Sequence, residues 1–82
     1  MSQITPEPLI RYAVKILVEN PDEVQTRLVN LDDGVKVVVR VAESDRGRVI
    51  GRGGRTARAL RSIVQAAGAV VDRRYQVKIS DE

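Results

Sequence analysis

The sequence predicts an α+β domain in which three helices pack on one face of a three-stranded mixed sheet, in the order α-β-β-α-α-β. Apolar residues recur at helical spacing near the start of the chain and again after position 55. Valines alternate with polar residues in the centre and before the C-terminus, which is typical of half-buried strands. A helical crossover between the second and third strands allows them to pair in parallel.

The first predicted helix covers about residues 8–19. Thr5 is suited to capping this helix, and Pro6 to its first turn. Asn20 and Pro21 then predict its end, because proline disfavours helical backbone at the residue before it. The positions that recur on one face of this helix are Ile10, Ala13, Val14 and Leu17.

A β-hairpin follows, with strands at about residues 24–31 and 35–42 and a turn at Asp32-Asp33-Gly34. In the second strand the valines share the inward face, while Lys36 and Arg40 point to the other face with Val38. The inward positions are Val35, Val37, Val39 and Val41.

Two further helices are predicted at about residues 45–50 and 55–67, followed by a third strand at about 72–79. Ser44 or Asp45 is suited to capping the first of these helices, and Gly68 predicts the end of the second. The third strand places Arg74 and Lys78 on the same solvated sheet face as the hairpin cations. The core positions predicted for the last helix are Leu60, Ile63, Val64 and Ala67.

The composition restricts the range of functions. The 82 residues suit one small domain, and they include no Cys and no His. Because the common catalytic bases and metal ligands are missing and the acidic residues are scattered, we expect neither an enzyme, nor a metal site, nor a cofactor. The N-terminus does not resemble a signal peptide and no apolar run is long enough to span a membrane, so we expect a cytoplasmic protein.

Positive charge is concentrated in one segment. Residues 46–61 contain six Arg and no acidic residue, whereas the rest of the chain carries eight Lys or Arg and eleven Asp or Glu. Such a local cluster indicates an anionic partner more strongly than a diffuse excess of positive charge would. The alternative is a solvated helix face.

This basic segment surrounds a glycine-rich loop at residues 51–54. Glycines permit positive φ angles and the close approach of a ligand backbone. The following helix starts at about Arg55, where partial positive charge favours phosphate. Arg52, in the loop, and Arg55, just after it, add full charges and forked donors suited to phosphate oxygens. The segment lacks the Lys of a Walker A loop, and Thr56 stands where a dinucleotide fingerprint needs its third glycine.

The stretch GRVIGRGGRTARALRSIV, residues 47–64, resembles the KH domain in its type II arrangement, and in particular the small bacterial RNA-binding KhpA family. The resemblance covers nearly the whole chain, because the helix-loop-helix follows a hairpin and precedes a strand. It implies a GXXG loop that clamps single-stranded RNA over about four nucleotides. It also implies a groove beside the loop, where bases contact aliphatic side chains.

Carried onto this sequence, the resemblance implies one set of RNA-binding positions. They are Arg48, Val49, Ile50, Gly51, Arg52, Gly53, Gly54, Arg55, Thr56, Arg58 and Ala59. Ala57 is an alternative to Ala59, and Val39 or Val41 is expected to form the sheet side of the groove.

Several of these positions have a structural alternative. Ile50 is equally suited to the core, and Leu60 and Ile63 are better suited to it. Arg58 and Arg61 either follow the RNA backbone or only solvate a helix face. Arg46 or Arg48 either contacts phosphate or pairs with Asp45 or Glu43, and Tyr75 suits the core or sheet surface better than a base platform.

The resemblance also implies self-association, and pairing with a larger KH-containing protein (KhpB, also called Jag or EloR) in bacteria, linked to cell elongation. The candidate interface residues are Ile63, Val64, Ala66, Ala67 and Val70, with burial in the monomer core as the alternative. We therefore expect a single-stranded RNA-binding protein, acting as a dimer in post-transcriptional regulation or as an RNA chaperone. A protein–protein adaptor in which RNA contact is secondary is the alternative function.

Overall fold

A computed structural model describes residues 5–80, so the predicted domain limits at positions 1 and 82 lie outside the described residues. The helices are α1 (Glu7–Leu17), α2 (Arg46–Ile50) and α3 (Arg55–Val70), and the strands are β1 (Gln25–Leu31), β2 (Gly34–Arg40) and β3 (Arg74–Ile79). Their order confirms the predicted α-β-β-α-α-β sequence of elements. In the described range no helix combines the length and apolar character needed to cross a bilayer.

The sheet has the order β1-β2-β3, with β2 antiparallel to β1 and parallel to β3. Val37 in the central strand pairs with Leu28 on one side and Val77 on the other. The strand ends differ from those predicted by one or two residues. β3 begins at Arg74 because Asp72 adopts a positive φ of 57° and the Arg73 amide donates to the Gly68 carbonyl at the end of α3.

One core joins the sheet to all three helices. The inward valines of the second strand are buried as predicted, and the buried Tyr75 of β3 lies beside them. The helices contribute Ile10, Val14, Val49, Leu60 and Val64. The prediction that Ile63 belongs to this core is wrong, because its side chain is 55% exposed.

The first helix is shorter than predicted at its C-terminal end. Thr5 accepts a hydrogen bond from the Glu7 amide at 3.3 Å, although Pro6 holds the N-cap position. After Leu17 the chain is extended at Val18, with φ −99° and ψ 160°. The helix does not continue, because the next two amides are bound by a side chain from another element, as described below.

The prediction that Gly68 ends the last helix is wrong, since α3 continues to Val70. Gly68 is buried where the helix lies against β3, and a Cβ there would sit 3.1 Å from the Tyr75 amide nitrogen and closer still to the Arg73 carbonyl. This glycine therefore sets the distance between the helix and the edge strand rather than terminating the helix.

Candidate nucleic-acid interface

The loop between α2 and α3 reverses the chain through three glycines with positive φ. Gly51 has φ 78° and ψ 166°, Gly53 has φ 63° and ψ 20°, and Gly54 has φ 77° and ψ 15°. The first of these lies in a backbone region that is essentially restricted to glycine. The expected conformational role of the glycines is therefore confirmed.

The three glycines differ in what surrounds them. A Cβ on Gly51 would lie 2.8 Å from the Thr56 amide nitrogen and closer to its hydroxyl, so Thr56 packs against this turn. A Cβ on Gly53 would meet nothing within 4 Å. The loop is thus closely packed at its base and open at Gly53, where a ligand backbone has room to approach.

The N-terminus of α3 lies at the base of the loop. Residues Arg52–Gly54 form a 3₁₀ turn before α3, with the Gly54 amide donating to the Gly51 carbonyl at 3.0 Å and the Arg55 amide to the Arg52 carbonyl. Gly53 and Gly54 have left-handed backbone, so this turn is kinked relative to α3, and the helix itself begins at Arg55. The partial positive charge of the helix start is therefore centred on the first turn of α3, beside the loop.

Arg58 connects the helix to the tip of the loop. Its Nη1 donates a hydrogen bond to the Gly53 carbonyl at 3.0 Å, while the side chain stays exposed. This contact holds the open part of the loop against the first turn of α3. Arg58 is therefore more than a solvating residue, although its guanidinium retains further donors that face solvent.

A groove of about 440 Å³ lies beside the loop. It is lined by Ile50, Gly54, Ala57, Arg58, Arg61, Val77, Lys78 and Ile79. Its aliphatic part comes from α2, α3 and the edge strand β3, its cations are two arginines and one lysine, and it contains no carboxylate. The arrangement suits a chain with flat apolar groups and regularly spaced negative charges.

The prediction that Val39 or Val41 forms the sheet side of the groove is wrong. Val39 and Val41 are 0% and 5% exposed and belong to the core, because β2 is the central strand and the helices cover its inner face. The edge strand supplies Val77, Lys78 and Ile79 instead. Alternation alone does not reveal strand order, although the direct chain connection from α3 to β3 indicates that the two are neighbours.

The apolar positions near the loop have different surroundings in the structure. Val49 is 0% exposed, so its assignment as a base-contacting residue is wrong and it is a core residue of α2. Ile50 is 38% exposed and lines the groove. Ala57 also lines the groove, whereas Ala59, two residues further on, is exposed about 200° around the helix from it.

Two of the six arginines point away from the groove. Arg48 pairs with Glu19, with 3.2 Å between Nη2 and Oε2, and lies 3.9 Å from the Asp45 carboxylate. Arg46 lines a cavity that also contains Asp22, Glu23 and Glu43. The pairing alternative considered for Arg48 is therefore the one observed. The arginines left beside the loop and groove are Arg52, Arg55, Arg58 and Arg61.

A buried carboxylate fixes the position of α2. Asp45 is 0% exposed and does not cap its own helix, so its predicted capping role is wrong. Its two oxygens accept hydrogen bonds at 3.0 Å from the Glu19 amide, the Asn20 amide and the Asn20 side chain. These contacts tie the end of α1 to the start of the helix that leads into the loop.

The same contacts stabilise the charged form of Asp45. The hydrogen bond from the Glu19 amide is the main cause that holds the pKa of this carboxyl below its ordinary value of 3.8, with Asn20 and Arg48 adding to it against the opposing effect of burial. The carboxylate is therefore ionised at neutral pH.

The candidate dimer residues separate into two groups. Val64 is buried and Ala67 packs against the core, so Val64 offers no side-chain surface to a partner. Ile63, Ala66 and Val70 are exposed, Val70 to 86%. Together with Ala59 they form one exposed apolar stripe along α3, at the spacing of one helix face.

Among residues 5–80 there is no group of three or more carboxylates, histidines or cysteines placed to hold a metal ion.

The family model described as "KhpA/KhpB, KH domain" matches residues 7–79. The chain belongs to this family. Similar proteins include the RNA-binding protein KhpA of Borreliella burgdorferi, 41% identical over 89% of each chain, and that of Bacillus subtilis, 39% identical over 92% of this chain and 93% of the relative. The RNA-binding protein KhpA of Streptomyces coelicolor is 52% identical over 76% of this chain and 78% of the relative.

Membership of the KhpA/KhpB family agrees with the observed fold, because the order α-β-β-α-α-β with a three-stranded mixed sheet is the type II KH arrangement. A KH domain is a binding module and not an enzyme. Sequence reasoning missed the groove residues contributed by the edge strand, Val77, Lys78 and Ile79.

Proposed function

We propose that this KH domain binds single-stranded RNA, with the sugar-phosphate backbone against the GXXG loop and the bases in the adjacent groove. The observation that carries the proposal is the continuity of two surfaces. A loop that is open at Gly53 and lies at the N-terminus of α3 adjoins an aliphatic groove that has cations and no carboxylate. About four nucleotides fit such a site in KH domains.

RNA, rather than single-stranded DNA, is proposed because the relatives named above are RNA-binding proteins. The binding residues proposed are Ile50, Gly51, Arg52, Gly53, Gly54, Arg55, Ala57, Arg58 and Arg61, with Thr56 holding the loop. Arg48 and Ala59 are not included, because Arg48 pairs with Glu19 and Ala59 lies on another face of α3.

A single site of this size should bind weakly. We expect micromolar affinity or weaker, since a few phosphate contacts and aliphatic surfaces supply the interaction. Neutralising two or three phosphates gives a slope of about −1.4 to −2.1 for log K against log salt concentration. Such an RNA-binding protein would act in the cytoplasm, in post-transcriptional regulation or as an RNA chaperone.

The test replaces both Arg52 and Gly53 with Asp, which puts negative charge where phosphate should lie. Gly53 has open space and a left-handed backbone that Asp tolerates better than most residues, so the fold should survive. Fluorescence anisotropy with labelled oligouridine should show affinity reduced more than about tenfold. Replacing both residues with Asn is the matched control, because it adds similar bulk without the negative charges.

The Asn variant should bind more tightly than the Asp variant, and both should keep the wild-type circular dichroism spectrum. An Asp variant that is folded and binds RNA as tightly as the wild type would refute the role of the loop.

A second proposal is self-association through the exposed stripe of α3. Ile63, Ala66 and Val70 present apolar surface that the monomer core does not use. The stripe is suited to a second copy of this chain or to a larger KH-containing partner such as KhpB (Jag, EloR), whose name the matching family model shares. Two linked sites would lengthen the RNA footprint and raise the effective concentration of the second site. Pairing with that partner, which is linked to cell elongation, would give this chain a role in cell-shape regulation.

Sedimentation at about 10–100 μM tests the second proposal, because weak homodimers of single domains dissociate below this range. A strict monomer throughout would refute homodimerisation. The adaptor function would be favoured instead if the Asp variant of the loop kept both its partner and its biological activity.

A further inference from the structure

The outer face of the sheet carries charge of one sign. The three strands contain five basic residues and no acidic residue, and every basic residue occupies an outward position. The register shows this directly, since Arg27 and Lys78 both pair with Val38, and Arg40 pairs with Gln25 at the end of the same face. The five residues are Arg27, Lys36, Arg40, Arg74 and Lys78.

One of these cations is neutralised by its surroundings. Arg74 pairs with Asp33 at 2.9 Å, at the hairpin end of the sheet. The other four, Arg27, Lys36, Arg40 and Lys78, have no carboxylate within 4.0 Å among residues 5–80. We call these four the basic sheet face.

Solvation alone does not account for a surface of one sign. An exposed sheet face needs polar side chains, and residues of either charge supply them. Clustered like charges repel one another, and an anionic partner removes that repulsion. The acidic residues among positions 5–80 lie at helix ends and turns instead, which is why the charge balance along the sequence conceals this face.

The basic sheet face is continuous with the groove. Lys78 lines the groove and also lies on the outer face, because β3 is the edge strand. From Lys78 across Val38 to Arg27 the distance is two strand spacings, about 10 Å. A shallow cavity of about 220 Å³ on this face includes Arg27, Val38, Arg40 and Ser80 among its lining residues.

We propose that the basic sheet face binds the phosphates of the RNA strand where it leaves the groove over β3, so that the footprint extends beyond four nucleotides. This inference rests on the proposed RNA binding. RNA fits better than an acidic protein, because the cations continue from the groove through Lys78. The apolar outward side chains of the strands, Val29, Leu31 and Val38, are all half-buried and offer little core for a protein interface.

The test compares two RNA lengths, U4 and U12, with the variant Arg27→Gln/Arg40→Gln. Both side chains are exposed, so the fold should be retained. At 0.1 M salt, U12 should bind up to about 25-fold more weakly than to the wild type, with a salt slope smaller by about 1.4, if each arginine neutralises one phosphate. Binding of U4 should stay within about twofold, since the loop and groove hold it.

Two controls test whether the weaker binding of U12 comes from charge lost on the basic sheet face. Lys15→Gln/Arg73→Gln removes the same charge from exposed positions off the basic sheet face, and should bind U12 like the wild type. Arg27→Lys/Arg40→Lys keeps the charge and should recover most of the affinity. If the first control weakens U12 binding as much as the Gln pair, or if the Lys pair binds as weakly as the Gln pair, the inference is overturned.

The inference and the proposed function fail in different ways. If the Gln pair binds U12 like the wild type while the Asp variant of the loop has lost it, RNA binding stands and the extended footprint is refuted. If the wild type binds neither RNA, or the loop variant binds both normally, the proposed RNA site itself is refuted.

Discussion

The two halves of α3 differ sharply in chemistry although they form one uninterrupted helix. Arg55–Arg61 contains three arginines, adjoins the loop and borders the groove. Residues 62–70 contain no charged residue and expose Ile63, Ala66 and Val70. We refer to them as the charged half and the uncharged half.

This difference would keep the two proposed interactions apart along one helix. The charged half is suited to a polyanion, and its cations would be costly to desolvate in a protein interface. The uncharged half has no group that attracts phosphate, but its apolar surface favours association. A helix of 16 residues keeps the two surfaces at a fixed distance, so binding at one end need not block the other.

The substitution Asp45→Asn should have the largest effect, because it destabilises the fold and so disturbs both halves. Asparagine keeps the shape but places an amide group against backbone N–H donors in a fully buried position, so Tm should fall by more than about 10 °C at neutral pH. Thermal melts followed by circular dichroism measure it. Asp33→Asn is the matched control, an exposed carboxylate whose loss should change Tm by about 2 °C or less.

The Tm difference between wild type and Asp45→Asn should become smaller at acidic pH. Because the folded pKa of Asp45 lies below its ordinary value, its carboxylate stabilises the fold above the unfolded pKa, and this contribution is lost as the pH falls through the folded pKa. The Tm difference between wild type and Asp45→Asn should thus be constant near neutrality and shrink below about pH 4. A difference that grows on acidification would contradict this assignment.

Asp45 also illustrates what the sequence could not show. Alternating valines and glycine spacing predicted the strands and the loop, because those signals are local. The partners of Asp45 lie 25 and 26 residues earlier, so the sequence suggested a helix cap instead. The prediction for Gly68 is wrong for the same reason, since its packing against β3 is a contact in three dimensions that the local sequence does not encode.

The site was predictable at the loop and less so around it. Ile63 and Val64 are adjacent and both fit the helical period, and only the orientation of α3 decides which one is buried. The contribution of β3 to the groove required the strand order, which alternation does not encode. Charge counted along the chain likewise found the loop arginines but not the basic sheet face, because acidic residues lie between its members in the sequence.

The second largest effect should come from Gly51→Ala, which disturbs the charged half through the loop. The backbone at Gly51 is essentially restricted to glycine and the added methyl would overlap Thr56, so we expect the free energy of unfolding to fall by about 3 kcal/mol. Gly53→Ala is the matched control, with free space around it and a cost of about 1 kcal/mol. Urea unfolding measures both, and equal losses would contradict the division of roles between these glycines.

Neutralising the charged half alone should have a smaller effect. Arg58→Gln/Arg61→Gln should weaken binding of oligouridine about tenfold at 0.1 M salt, less than two full phosphate contacts, because Arg58 is partly engaged with the Gly53 carbonyl. The self-association constant measured by sedimentation should not change. Loss of self-association in this variant, with RNA affinity retained, would reverse the assignment of the two halves.

The smallest expected effect belongs to the uncharged half. Ile63→Gln removes about 0.5 kcal/mol of apolar burial from each of two copies in a self-associated pair, which raises the dissociation constant about fivefold. Leu9→Gln on α1 is the matched control, because Leu9 is 48% exposed, close to the 55% of Ile63, but lies on another helix. Binding of U4 should be unchanged in both variants, since neither position touches the groove. If Leu9→Gln weakens self-association and Ile63→Gln does not, the interface lies on α1, and the uncharged half of α3 is only solvent-exposed surface.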